Sequence, residues 1–244
     1  MKEIFELSRE TYGSPRVHQE LLSRGWKVSR PRVARLMQQA GLRVKPKPGF
    51  VPATTDSDHD LRISPNLLDR NFEPGEINRA WVSDISYLPT LEGWLYLTTV
   101  IDLGDRRVIG WATSETMKTE DTTVAALRMA VVNRKPAEQT IFHSDRGVQY
   151  AADAFRKELK KHNITQQSMS RKGNCWDNAV AESFFKSAKS EWLAQTAFST
   201  KEEAQLAVFE YIETWYNTRR RHQALGNKSP LAFFQENFCL SQTA

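Results

Sequence analysis

The stretch Trp81-Val82-Ser83-Asp84-Ile85-Ser86-Tyr87 decides the fold. Its flanking residues are β-formers, so it reads as a core strand with a carboxylate at its centre. Burying Asp84 there is costly unless the group is paired or holds a cation. Outward from it the strand texture continues. Glu92-Gly93 marks a turn, Trp94 to Leu103 is a long apolar and β-branched run, Gly104-Asp105 breaks it, and Arg107 to Thr113 forms a third strand. Turns this short join neighbouring antiparallel strands. Thr119 is placed to cap a helix with Glu120 and Asp121 in its first turn. Thr140 to His143 is a fourth strand, running into Ser144-Asp145-Arg146-Gly147, and a helix follows over about residues 152–161. Ile164 begins a fifth strand, and a polar loop (170–178) leads to a helix carrying Glu182, with Asp177 expected to cap it. Ser199 and Glu202 have capping-box spacing for a later helix that reaches Tyr216. This order predicts an α/β fold, a mixed five-stranded sheet with flanking helices. Trp81, Trp94 and Trp111 read as core packing within it.

Toward the N-terminus the composition shifts. Residues 1–50 hold 11 Lys+Arg against 4 Asp+Glu, whereas the rest of the 244 residues holds 23 against 25. A basic module joined to a nearly neutral body suggests contact with nucleic acid by the small part. Ser14-Pro15 opens one helix, with Val17, Leu21 and Leu22 at helical spacing and Gly25 closing it. Ser29 and Pro31 open a second, with Val33, Leu36 and Met37 on one face and Gly41 at its end. Arg30, Arg32 and Arg35 cluster in its first turns, where a helix-turn-helix would meet DNA. The expected division is a small helical domain (1–43), a Pro- and Gly-rich linker, extended or partly ordered (44–78), and a larger α/β body with a C-terminal helical extension (79–240).

Three acids stand on three separate elements: Asp84 inside a strand, Asp145 at a strand end and Glu182 within a helix. Such hard oxygen donors suit Mg²⁺, with Mn²⁺ as a substitute, and two ions are expected once substrate is bound. Cys175 and Cys239 lie far apart with no zinc-ligand spacing, which fits free thiols in a reducing cytoplasm. No run is long and apolar enough for a membrane span, and no signal peptide is evident. No GxSxG elbow supports a serine hydrolase.

The strings WVSDISYL (81–88), HSDRGVQY (143–150) and SMSRKGNCWDNAVAESFF (168–185) resemble the OrfB-type insertion-sequence transposases of the integrase-like DDE superfamily. TYGSPRVHQELLSRG (11–25), PNLLDRNF (65–72) and YIETWYNTRRRHQALGNKSPLAFF (211–234) extend the resemblance over nearly the whole chain. It implies a ribonuclease-H-like core preceded by a helix-turn-helix-like domain, with Asp84, Asp145 and Glu182 as the catalytic, metal-binding triad. It implies nicking at element ends followed by attack of a 3′-OH on another strand. It further implies double-stranded DNA as substrate, a homo-oligomer on that DNA, and fusion to or partnership with the product of an upstream reading frame. It also implies that the chain starts later than many relatives, as a truncated copy would. Between Asp145 and Glu182 lie 36 residues, one more than that family usually has, an extra residue expected near Ile164-Thr165-Gln166-Gln167.

Lys189, seven residues past Glu182, is expected to contact DNA near the cut. Lys186 suits either DNA contact or an i,i+4 pair with Glu182. Arg171, Lys172 and Asn174 occupy a loop suited to substrate phosphates. Asp102 reads as a turn former or a support of the site rather than a triad member. His143 could orient a phosphate or water, or be satisfied by backbone, and Arg219-Arg220-Arg221-His222 suits DNA or solvent equally. The rival functions are a metal-dependent nuclease on the same fold and an inactive DNA-binding regulator derived from a transposase.

Overall fold

A computed structural model describes residues 1–44, 59–195 and 197–239. Residues 45–58 of the expected linker, and Leu240 at the end of the expected body, lie outside the described residues. The sheet has the order β3-β2-β1-β4-β5. β1 (Ala80–Thr90) runs antiparallel to β2 (Gly93–Asp102), from Trp81 opposite Asp102 to Thr90 opposite Gly93. The two-residue connection turns on Gly93 at φ 108, a conformation that side chains resist. β3 (Val108–Ser114) continues the meander. β4 (Ile141–Ser144) and β5 (Gln166–Met169) then add in parallel, β4 beside β1 and β5 beside β4. The mixed five-stranded sheet and its flanking helices are as the sequence predicts.

Alternation along the strands sends residues to two apolar layers. One face puts Trp81, Val100, Ile109 and Phe142 against α4 (Ala125–Asn133), entered through a π-turn at Glu120–Val124, and against α6 (Asp153–Lys161). Phe142 and Phe155 meet edge to face at 5.2 Å, and full burial of such a ring is worth about 1.5–3 kcal/mol. α4 lies directly on β3 at Gly110, where a Cβ would sit 2.3 Å from the Ala126 carbonyl oxygen. The opposite face puts Val82, Leu88 and Leu97 against α7 (Ala179–Ala188) and α8 (Lys201–Phe209), each prolonged by a wider π-turn, Lys189–Leu193 and Glu210–Tyr216. A four-residue turn, α5 (Val148–Ala151), precedes α6. α9 (Pro230–Phe234) follows and is prolonged by a wider π-turn over Gln235–Cys239.

The N-terminal module contains α2 (Ser14–Ser23) and α3 (Arg30–Gln39), with an additional α1 (Lys2–Leu7) that the sequence reading did not pick out. Its buried residues, among them Phe5, Val17, Val33 and Met37, belong to one continuous apolar cluster with Tyr211, Ile212 and Trp215. The boundary near residue 43 is therefore not a gap in the core.

Several details differ from expectation. The capping box is Thr200 with Glu203, one residue later than Ser199 with Glu202, because Thr200 Oγ1 accepts from the Glu203 N–H at 3.1 Å. β5 starts at Gln166 rather than Ile164. Asn163 turns left-handed (φ 60) to end α6, and the Ile164 N–H donates to the Leu159 carbonyl at 3.0 Å while its side chain is buried. Trp94 is no core residue: it is 52% exposed and stands edge-on to Tyr87 at 4.9 Å. The described part of the linker, 59–78, is a strap on the sheet rather than a loose tether. Ser168 Oγ accepts the N–H groups of Leu67 and Leu68, the Met169 N–H donates to the Pro65 carbonyl, and Leu68 is buried.

Candidate active site

The site follows from where β4 stops. The last pairing between β1 and β4 is Val82 with His143. Asp84 lies two residues past that pairing within β1 and Asp145 one residue past the end of β4, which brings the two acids near each other where neighbouring strands, normally about 4.8 Å apart, part company. Asp84 Oδ1 accepts the N–H of Ile85 at 2.9 Å, and Asp145 Oδ1 accepts that of Gly147 at 2.9 Å. Glu182 sits in the first turn of α7. The start of that helix is tied to β1 by Asn178, whose Nδ2 donates to the Ser83 carbonyl at 3.1 Å, beside Asp84.

The three carboxylates feel one another. Burial, then the charge of Asp145, and more weakly that of Glu182, hold Asp84 well above the usual carboxylate range against the Ile85 N–H. Burial and Asp145 raise Glu182 as well. Lys189 lies on the same side: its ammonium stands 4.8 Å from the centroid of the Tyr87 ring. Burial lowers its pKa, while the nearby Asp84 charge acts in the opposite direction. Among the described residues, no three His, Cys, Asp or Glu side chains are closed tightly enough around a point to hold an ion. The donor chemistry nevertheless fits a hard divalent cation: three oxygen donors from three elements, with mutual repulsion that only a cation or a proton relieves.

The remaining candidates are distributed differently. Lys186 is exposed on α7, and among the described residues no ion pair joins it to Glu182. Arg30, Arg32 and Arg35 are all exposed on α3. Lys172 is exposed in the loop. Arg171 is engaged within the protein, donating through Nε and Nη2 to Asp177 at 2.8 and 2.7 Å. Asn174 Oδ1 accepts from Arg70 at 3.0 Å. Asp177 does not cap α7: it is the buried hub for Arg171, Arg70 and Asn66, which holds its carboxyl well below the usual range, Arg171 foremost. Asp102 is a buried structural acid, paired with Arg134 at 2.7 Å and accepting the N–H groups of Asn78 and Gly104. His143 is buried between two hydroxyls, Ser168 Oγ at 2.8 Å and Ser170 Oγ at 3.3 Å, with burial pushing its pKa down to about 4. A contact to the Asp177 backbone adds to these, so the ring is satisfied inside the protein.

Arg220 and Arg221 satisfy neither reading of the basic run. Arg220 is buried on Glu191, and Arg221 reaches Glu20 of α2 at 2.7 Å. Glu191 was legible in principle. It continues the helical series of buried positions Ala181, Phe184 and Ala188, a core-facing place where an acid demands a partner.

The chain as a whole is similar to known proteins. An integrase core domain family matches residues 75–175, a second integrase core domain family matches 163–230, and an HTH-like domain matches 1–49. A Shigella sonnei protein described as the uncharacterized 31 kDa protein of insertion element IS600 is 45% identical over 93% of this chain and 82% of its own length. Transposase InsF for insertion sequence IS3A of Escherichia coli K12 is 42% identical over 96% of this chain and 80% of its own. The chain belongs to the insertion-sequence transposase family. Among solved structures, a chain of the simian T-cell lymphotropic virus intasome, solved with the PP2A regulatory subunit B56 gamma, aligns over 95% of the transposase and 73% of that chain. At a TM-score of 0.52 and 11% identity this is a likeness of fold alone. In the transposase the 36-residue interval between Asp145 and Glu182 leaves β5 intact, paired with β4 in unbroken register from Gln166 to Met169. Among the described residues no helix is long and apolar enough to cross a membrane.

Proposed function

We propose that this DNA transposase nicks DNA at the ends of its element and joins the freed 3′-OH to a target strand, with Asp84, Asp145 and Glu182 as its metal-binding carboxylates. The observation that carries this reading is the side-by-side emergence of Asp84 and Asp145 where β4 ends, with Glu182 facing them from α7. Two Mg²⁺ ions, or Mn²⁺, would supply Lewis-acid stabilisation of the attacking and leaving oxygens. Asp84 and Asp145 are fixed by strand backbone. Glu182, on a longer and more exposed side chain, has the rotamer freedom to close the set. Lys189 contributes its charge to a phosphate beside the cut. Arg30, Arg32 and Arg35, with Lys186 and Lys172, contact duplex DNA along its backbone or in a groove. Arg171 and Asn174 shape the intervening loop through Asp177 and Arg70. The active species is a homo-oligomer on DNA in the cytoplasm, complemented by the product of an upstream reading frame.

The direct test is Asp145→Asn with supercoiled donor DNA and Mg²⁺. Strand cleavage and transfer should fall by several orders of magnitude, and undiminished transfer would refute the assignment. Adding DNA with a free 3′-OH separates this reading from a nuclease, which cuts but does not join.

A further inference from the structure

Glu191 links the catalytic helix to the DNA-binding module. It lies nine residues beyond Glu182 on the unbroken prolongation of α7, and it is only 7% exposed. Its carboxylate takes Arg220 Nε and Nη2, both at 2.7 Å, and Arg16 Nη1 at 3.1 Å. Arg16 belongs to α2, which packs on α3 and its exposed arginines. The next residue of the loop strengthens the joint. Arg221 donates to Glu20 and Ser23 of α2, and its own N–H donates to the hydroxyl of Tyr12, whose ring packs at a tilt against Trp215. Beside these ion pairs is a cavity of about 350 Å³ lined by Arg16, Glu191, Arg220, Ser187 and Asn227. At this point directional charged contacts add to the apolar packing that joins the module to the body. A buried ion pair adds little net stability but tolerates only one geometry, since a slipped register leaves a charge buried without its partner.

We propose that Glu191, through Arg16, is a positioning residue that fixes the distance along DNA between the segment held by α3 and the phosphate cut at Asp84, Asp145 and Glu182. This rests on the reading above that the α3 arginines bind DNA. The joint acts as a ruler: α7 carries the cutting end, Glu191 and Arg16 form the fixed angle, and α3 carries the gripping end. Loosening it leaves both ends functional but lets the cut wander.

The experiment uses the full chain, Mg²⁺ and a supercoiled plasmid carrying the DNA that flanks the chain's own gene. Cut positions are mapped at nucleotide resolution beside a hydroxyl-radical footprint. Wild type should cut at a single distance from the footprint edge. In Arg16→Ala, total cleavage should stay within about twofold, because the carboxylates are untouched. Its nicks should spread over several neighbouring phosphates. Arg221→Ala, which loosens the same joint without unpairing Glu191, should give the same spread, and Arg16→Lys should largely restore the single position. A single unchanged cut position in both alanine variants, with thermal melts as in wild type, overturns the proposal. So does a fall in cleavage without any spread. Arg32→Ala/Arg35→Ala tests the underlying reading separately: a footprint that survives it refutes DNA binding by α3, whatever the cut positions do.

Discussion

Replacing Asp84 with Asn should abolish transposition and yet make the metal-free protein more stable. Asp84 and Asp145 stand just past the last pairing of adjacent strands and feel each other's charge; two charges about 5 Å apart, of the order of the strand spacing, repel by about 3 kcal/mol at an effective dielectric near 20. Both residues are half-buried, and solvent screening reduces that figure to about 1–2 kcal/mol. Asn keeps the shape and can still accept the Ile85 N–H. For a chain of this size the gain corresponds to about 2–8 °C in Tm. Urea and thermal unfolding without metal, then with Mg²⁺, provide the assay. Wild type should gain stability from Mg²⁺, and Asp84→Asn should gain much less. The pH dependence has a definite sign. Folded Asp84 keeps its proton to higher pH than the unfolded chain does, so metal-free wild type gains stability as pH falls through the window between that raised value and the usual carboxylate range. The advantage of the variant should shrink across the same window. A variant less stable than wild type without metal, or an equal Mg²⁺ response in both, would refute the reasoning.

Buried neutral His143 should act in the opposite direction. Its folded pKa lies at about 4 against an ordinary 6.5, so stability present above pH 6.5 is lost as pH falls toward 4, by about 3 kcal/mol. Urea melts across that range should show the loss in wild type and not in His143→Asn. Arg134→Met should cost about 3–5 kcal/mol, because it leaves the carboxylates of Asp102 and Asp105, each 2.7 Å from the guanidinium, buried without a cation. Chemical denaturation measures it, and a loss under 1 kcal/mol would contradict the assigned role. Gly110→Ala should lower Tm sharply, since the new methyl meets backbone of α4 at 2.3 Å and overpacking of this kind costs about 1–3 kcal/mol or more.

Much of the architecture was legible in the chain itself. Strand alternation around Asp84, short turns at Glu92-Gly93 and Gly104-Asp105, and the strand-to-loop passage at Asp145 carry local signals that survive folding. What escaped depends on partners distant in sequence. Trp94 has the same β propensity as Trp81, yet it stands next to the β1–β2 turn and is exposed, whereas Trp81 is fully buried. Arg220 looks like any basic loop residue until Glu191, on another helix, is brought beside it. The strap at 65–68 has no period of its own because its order comes from the Ser168 hydroxyl and the Pro65 carbonyl contact to β5. Asp177 sits where a cap belongs, yet two guanidiniums outcompete the helix N–H groups for its oxygens.

The short reach of β4 has a consequence beyond opening the site. β1 runs on to Thr90, and among the described residues no strand pairs with its β4-side edge between Asp84 and Pro89, the bridge from Thr90 to Phe198 closing only the far end. Part of that edge is already satisfied, since Asp84 Oδ1 takes the Ile85 N–H, but an incompletely paired edge invites a foreign strand, and proteins discourage that with charges and prolines. Pro89 withholds one donor, and the Asp84 carboxylate repels an approaching chain. An Asn at position 84, although it firms the monomer, removes that repulsion and should leave the protein more prone to stick to its own kind when concentrated.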